Sequence, residues 1–162
     1  MIHETLAELT FRGIRAADLP LLRDFVRALS RDTAYKRLLS GRMPTEDELR
    51  SRTSIDHSRE GAVVATTRTA TGERLVGVAR YVVQTPYDTD FAIVLADAWQ
   101  RQGLGRALMQ RLIEAARQQG VRRLGGITLP TNTAMLSLAR ALGFRSEREP
   151  GGMTTLLTLD LP

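Results

Sequence analysis

The sequence predicts a single α/β (α+β) domain over residues 1–162, with a mixed, mostly antiparallel central sheet flanked by helices. Three observations predict it. Apolar strand-like runs and helically spaced stretches follow the order strand, helices, three strands, helix, strand, helix, two strands. The unit from about Thr89 to Leu129 reads strand–helix–strand, which calls for a right-handed crossover between parallel strands. Turn signals separate the runs, with no linker, repeat or low-complexity segment among them.

The elements follow in order. Within Leu6–Arg15, Leu9, Phe11 and Gly13 alternate with Thr10, Arg12 and Ile14, as in a strand. Asp18 is placed to cap a helix that tolerates Pro20 in its first turn and carries Leu19, Leu22, Val26 and Leu29 on one face. A short helical segment around Tyr35, Leu38 and Leu39 should end near Gly41. Thr45-Glu46-Asp47-Glu48 is a capping box, so a further helix should run to about Ser54. Ala62–Thr67 and Leu75–Gln84 form a hairpin across Ala70–Glu73, and Thr85–Asp88 breaks the second strand. Thr89–Leu95 is largely apolar, as a central strand would be. A helix from Gly103 to about Gln119 places Leu104, Ala107, Leu108, Leu112 and Ala115 inward, and Gly120 closes it. Arg123–Leu129 is a strand. Thr131 or Asn132 caps the last helix, whose inward stripe is Met135, Leu138, Ala139 and Leu142. Phe144–Glu149 and Met153–Leu159 form a terminal hairpin across Pro150-Gly151-Gly152.

Composition narrows the chemistry. With no cysteine, disulfides, thiolate metal sites and a Cys nucleophile are excluded. His3 and His57 are the only histidines and lie far apart, so no metal is expected. Neither histidine lies near a nucleophile-elbow motif, which argues against a Ser-His-Asp triad. No run spans a bilayer and no signal pattern opens the chain, so no membrane association and a cytoplasmic location are expected. The net charge of +5 invites a nucleic-acid reading. However, Lys36 is the only lysine, the arginines are scattered, and few aromatics interleave with them. An Arg-biased solvated surface fits better, and no nucleic-acid partner is expected.

Gln100-Arg101-Gln102-Gly103-Leu104-Gly105-Arg106 joins the apolar run Phe91–Leu95 to an amphipathic helix. The first turn of a helix offers N–H groups without intrahelical acceptors, at the positive end of its dipole. Glycines let a ligand approach that backbone closely. Together these make a phosphate- or pyrophosphate-binding turn.

Gln100-x-x-Gly103-x-Gly105, after a strand and opening a helix, resembles the acyl-CoA pyrophosphate loop of the GNAT acyltransferase superfamily. Downstream, Asn132 with Ala139-Arg140-Ala141-Leu142-Gly143-Phe144 is similar to the Asn…Leu-Gly-Phe pattern of the same fold. The chain looks closer still to the catalytic domain of bacterial protein lysine acetyltransferases. That likeness is carried by Leu9–Phe11 with Arg12, Ile14 and Arg15, Asp18, Leu29-Ser30 with Tyr35 and Arg37, Asp56-His57-x-Arg59-Glu60, and Ala79-Arg80-Tyr81-Val82. In that subgroup the domain often follows a large acyl-CoA-synthetase-like region, which this sequence does not contain.

The resemblance implies an acetyl-CoA-dependent N-acetyltransferase working by direct attack of a primary amine, with a protein lysine as acceptor and an acyl-CoA synthetase as one candidate partner. It implies that backbone N–H groups from Arg101 through Gln102, Gly103, Leu104 and Gly105 to Arg106 cradle the pyrophosphate of acetyl-CoA, with the Arg101 and Arg106 side chains able to add charge. Val94 and Leu95 would pair with the pantetheine arm, and one of their N–H groups would polarise the thioester carbonyl. Asn132 either bonds that arm or caps its helix. Asp90 stands where the subgroup usually has Glu. It is the expected base, directly or through a water, or else a holder of the substrate cation. Many relatives carry a thiolate-side Tyr where this chain has Ala139, so the general acid is unassigned. Asp56, His57, Arg59 and Glu60 read as a substrate-side rim or, more simply, a solvated loop with a salt bridge. A small-amine acetyltransferase and a non-catalytic acyl-CoA-binding sensor are the alternatives, as a monomer or a homodimer.

Overall fold

A computed structural model describes residues 6–38 and 43–162. Seven strands form one sheet: β1 (Thr10–Gly13), β2 (Glu60–Thr69), β3 (Gly72–Thr85), β4 (Asp88–Leu95), β5 (Arg123–Thr128), β6 (Arg145–Arg148) and β7 (Thr155–Asp160). Their order is β1-β2-β3-β4-β5-β7-β6. Every neighbouring pair is antiparallel except β4–β5, which is parallel. The helices are α1 (Leu19–Ala28), α2 (Arg31–Leu38), α3 (Glu46–Thr53), α4 (Leu104–Gln118) and α5 (Thr133–Ala141). The mixed, mostly antiparallel sheet and its flanking helices agree with the sequence expectation. Gly41, where α2 was expected to end, lies outside the described residues, as does His3.

Strand alternation sends side chains to two cores, one on each side of the sheet. Ala62, Val64, Leu75 and Val78 pack with Ile14, Leu22, Phe25 and Leu49 beneath α1 and α3. Ala65, Val76, Ala79, Tyr81 and Phe91 face α4, which contributes Leu104, Leu108, Met109, Leu112 and Ala116. The α4 stripe is thus turned slightly from the expected one. Met109 and Ala116 are buried, and Ala107 and Ala115 are half-buried. Both cores are needed because a sheet in mid-layer exposes an apolar surface on each side. Gly77 sets how closely α4 sits, since a Cβ there would lie 2.8 Å from Leu108 Cδ1 and 3.1 Å from Leu95 Cδ2.

Asp18 stands at the N-cap position of α1, as the sequence predicts, but its carboxylate does not serve as the cap. It ends the 3₁₀ turn Ala16–Asp18, and its side chain makes no cap bond to α1. Instead the carboxylate accepts Arg12 Nη1 at 2.7 Å, Arg12 Nη2 at 2.8 Å and the Arg15 amide at 2.8 Å. Arg12 also donates Nη2 to Glu73 at 3.0 Å, and Glu73 accepts the Thr66 hydroxyl at 2.7 Å. The guanidinium sits between a carboxylate on this turn and one on β3, and two charge-assisted contacts to Asp18 give the fork a bidentate partner.

This network ties β1 to β2, β3 and the start of α1. Burial works against the Asp18 charge, but Arg12 and the Arg15 amide outweigh it and hold the carboxyl below its ordinary range. A depressed carboxyl stabilises the fold above its unfolded pKa, about 3.9 for Asp, and that stability is lost as pH falls through the lower folded value. Asp18→Asn should therefore cost about 3 kcal/mol at neutral pH, at the low end for breaking a buried pair because Arg12 keeps Glu73. It should also flatten the acid limb. Urea midpoints at neutral and strongly acidic pH check both expectations, and a variant as stable as the parent at neutral pH contradicts the assignment.

Candidate active site

The site begins where two central strands stop pairing. Among the described residues, the β4–β5 ladder has one pair of partners, Asp90 opposite Gly125. β4 runs on to Leu95 and β5 to Thr128. Beyond the pair a cavity is lined by Asp90, Ala92 and Ile93 on one side and Gly126, Ile127 and Thr128 on the other. Unpaired β4 backbone groups on that edge are left to find another partner. Gly126 keeps the parting narrow, because a Cβ there would lie 2.7 Å from the Phe91 ring.

A second cavity adjoins the first, and Lys36, Ile93, Asn132 and Met135 line both. Its floor is Ile93, Val94 and Leu95. Its rim is Gln100, Arg101, Gly103 and Gly105, and its far wall comes from α5 with Ser137 and Leu138. The turn is built by conformation as well as composition. Arg101 has φ 62°, and Gly103, at the N-cap of α4, has φ 87°. A left-handed non-glycine residue is uncommon and costs on the order of 1 kcal/mol, so the loop is held in this shape by its surroundings. Gln102 Nε2 donates to the Ala98 carbonyl at 2.7 Å, and Trp99, just before the turn, is buried in the core.

A polar tie missed from sequence braces this loop against α2. The Asp97 carboxylate accepts the Thr33 hydroxyl at 2.6 Å and the Ser30 amide at 3.0 Å. Gln100 Nε2 donates to Thr33 Oγ1 at 3.0 Å. The Thr33 hydroxyl is the main reason the Asp97 carboxyl sits below its ordinary range. The available signal was Ser30-x-x-Thr33 opening a helix, a local cap pattern whose distant partner no spacing rule reveals.

The expected residues divide as follows. Val94, Leu95, Arg101, Gly103, Gly105 and Asn132 line the second cavity. Leu104 is fully buried in the α4 core, so only its backbone faces the turn. The Gln102 and Arg106 side chains are exposed and line neither cavity. Asn132 caps α5 by accepting the Met135 amide on Oδ1 at 3.2 Å, which leaves its amide NH₂ to donate at the junction of the cavities. Asp90 is exposed in the first cavity, and among the described residues nothing forms a hydrogen bond or ion pair with its carboxylate. Tyr81 is buried on the α4 side and its hydroxyl pKa is raised by that burial, while Tyr87 is exposed; neither lines the two cavities. Ala139 is buried away from them.

The Asp56–Glu60 segment is a turn rather than an ion-paired loop. Asp56 Oδ1 accepts the Ser58 hydroxyl at 2.7 Å and the Ser58 amide at 3.0 Å, which together depress its carboxyl. None of these residues lines either cavity. Arg80, by contrast, shares the sheet face of Asp90, opposite Ala92 on β4. It donates Nη2 to the Arg52 carbonyl at 2.9 Å at the end of α3, and burial pushes its guanidinium down to about 10.

A parting of parallel strands that adjoins a cavity rimmed by a Gly-turned helix start suits a long ligand with an anionic head and a narrow arm. Comparison with known proteins identifies the class. The family model described as Acetyltransferase (GNAT) family matches residues 24–144. The chain belongs to the GNAT family of acetyltransferases. An acetyltransferase of Pseudomonas aeruginosa is 31% identical over 148 residues, covering 90% of this chain and 80% of that one. The GNAT domain of S. lividans PAT superposes with a TM-score of 0.81 at 23% identity, over 93% of this chain and 89% of that one. A GNAT phosphinothricin acetyltransferase from Sinorhizobium meliloti, in complex with AcCoA, superposes at 0.74 and 22% identity, over 95% and 89%. The structural likenesses carry the fold. Membership makes this chain an enzyme, an acetyltransferase, and acetyl-CoA is the acyl donor that GNAT membership assigns to it.

Proposed function

We propose that this GNAT chain transfers acetyl from acetyl-CoA, by direct attack, to the side-chain amine of a lysine on a protein. One observation carries the acceptor class. The cavity holding Asp90 opens onto apolar side chains that are exposed, Ile127 at 54% and Leu156 at 37%, paired on adjacent strands β5 and β7. An exposed apolar rim around a carboxylate suits a polypeptide surface presenting one cation better than it suits a small polar amine.

In this reading the pyrophosphate sits on the backbone N–H groups between Arg101 and Arg106, and Arg101 adds charge at the rim. The pantetheine arm lies along Val94 and Leu95, taking the β4 edge groups that β5 leaves unpaired, and the Asn132 amide donates to it. One β4 N–H polarises the thioester carbonyl, where negative charge develops on attack. Asp90 takes the ammonium proton, directly or through a water, so that a neutral amine attacks. The thiolate leaves and takes its proton from water.

Incubation with acetyl-CoA tests this against candidate acyl-CoA synthetases and other lysine-bearing proteins, beside a panel of polyamines, amino sugars and amino acids. The reading predicts acetyl-lysine on a folded protein at a kcat/KM at least about tenfold above any small amine, a margin of roughly 1.4 kcal/mol. Turnover confined to small amines contradicts the acceptor. Acetyl-CoA binding with no acetylation of anything contradicts catalysis and favours the sensor.

A further inference from the structure

We propose that the enzyme acetylates its own Lys36, and does so within one molecule. The proposal rests on the reading of the two joined cavities as the acetyl-CoA and acceptor sites. Lys36 is the only lysine among 162 residues. It lies on α2, and it lines both the cavity of the Gly-rich turn and the cavity of Asp90. The single side chain of the reactive class thus borders the junction that a thioester and an acceptor amine would share.

Nothing strong holds it away. Its ammonium pairs with Asp32 Oδ2 at 3.0 Å, one turn back on the same helix, and that carboxylate is 75% exposed. Exposed pairs of this kind contribute about 0–1 kcal/mol. Meanwhile α2 is anchored beside the loop by the bonds from Ser30 and Thr33 to Asp97, and from Gln100 to Thr33. The amine is therefore tethered a few residues from a fixed point on the site wall, which supplies the high effective concentration of an intramolecular reaction.

The chemistry is that of the external acceptor. The Lys36 ammonium gives up a proton to Asp90 or water, and the neutral Nζ attacks the thioester carbonyl. The N–C bond forms, the C–S bond breaks, and coenzyme A leaves as a thiolate that is then protonated. The net change is Lys-NH₃⁺ plus acetyl-CoA to N-acetyl-lysine, coenzyme A and one proton. The product loses the Asp32 ion pair and leaves an uncharged acetamide at the junction of the cavities. It should therefore compete with incoming acceptor and restrain the enzyme.

Intact-mass and peptide mass spectrometry on the full chain with acetyl-CoA, with acetyl-CoA binding measured in the same sample, test the proposal. One acetyl group should appear, mapped to Lys36 rather than the N-terminal amine, and Lys36→Arg should lose it. The rate per molecule should stay constant within about twofold over a hundredfold dilution, as a reaction within one molecule requires. Urea-unfolded chain should react at least about tenfold more slowly, having lost that proximity. Binding without a Lys36 adduct overturns the proposal and spares the cofactor site. A rate proportional to protein concentration, or an equal rate in unfolded chain, overturns it too. No binding of acetyl-CoA overturns the cofactor reading and the proposal with it.

Discussion

Asp90→Ala should lower kcat for acetyl transfer by about 10²- to 10⁴-fold, the span that a general base contributes, while acetyl-CoA affinity stays within about twofold. The separation follows from geometry. Asp90 lines the cavity between β4 and β5 but not the one rimmed by the Gly-rich turn. Its carboxylate also has no hydrogen-bond or ion-pair partner among the described residues, so its loss leaves no buried group unsatisfied and the fold should stay intact. Asp90→Glu adds one methylene. If Asp90 works through a water, Glu should keep much of the rate by displacing it. Steady-state kinetics beside calorimetric binding of acetyl-CoA measure both quantities. Full turnover in Asp90→Ala would remove Asp90 from proton transfer.

Gly103→Glu should weaken acetyl-CoA binding by about 30- to 1000-fold, which is roughly 2–4 kcal/mol. Two effects combine. Gly103 has φ 87°, where a side chain brings strain, and its Cβ would lie 3.4 Å from Leu6 Cδ1. A carboxylate at the start of α4 would then occupy the place of the pyrophosphate and repel it. Gly103→Ala separates the terms, since it carries the strain without the charge, and should cost only about 1–2 kcal/mol. Calorimetry reads the affinities, and thermal unfolding confirms that each variant is folded. Unchanged affinity in a folded Gly103→Glu protein would remove the turn from the phosphate site.

The sequence shows local devices and hides tertiary ones. The turn and α4 were legible because glycines and an apolar stripe write their own conformation. The Asn132 cap was legible for the same reason, although capping and ligand binding are not exclusive: Oδ1 serves the helix and the amide NH₂ remains. The role of the Asp18 carboxylate was misread because a carboxylate before a helix is locally a cap. Only the pairing of β1 with β2, and of β2 with β3, brings Arg12 and Glu73 into reach. The brace from Asp97 to Thr33 spans 64 residues and leaves no periodicity. Nor could spacing show that β4 and β5 part after one pair, because each strand alone looks regular. The position of Lys36 is of this kind too. Its singularity was plain in the sequence, and its place at the junction of two cavities came only with the fold.

The central claim is that a coenzyme A thioester lies along the β4 edge with its pyrophosphate on the Arg101–Arg106 turn. A crystal structure with coenzyme A bound tests it most directly. The expected structure has the pyrophosphate within hydrogen-bond distance of the backbone N–H groups of that turn, the pantetheine arm against Val94 and Leu95, and the sulfur at the cavity of Asp90. A ligand bound with its pyrophosphate elsewhere, or with its sulfur directed away from the β4–β5 parting, would contradict it.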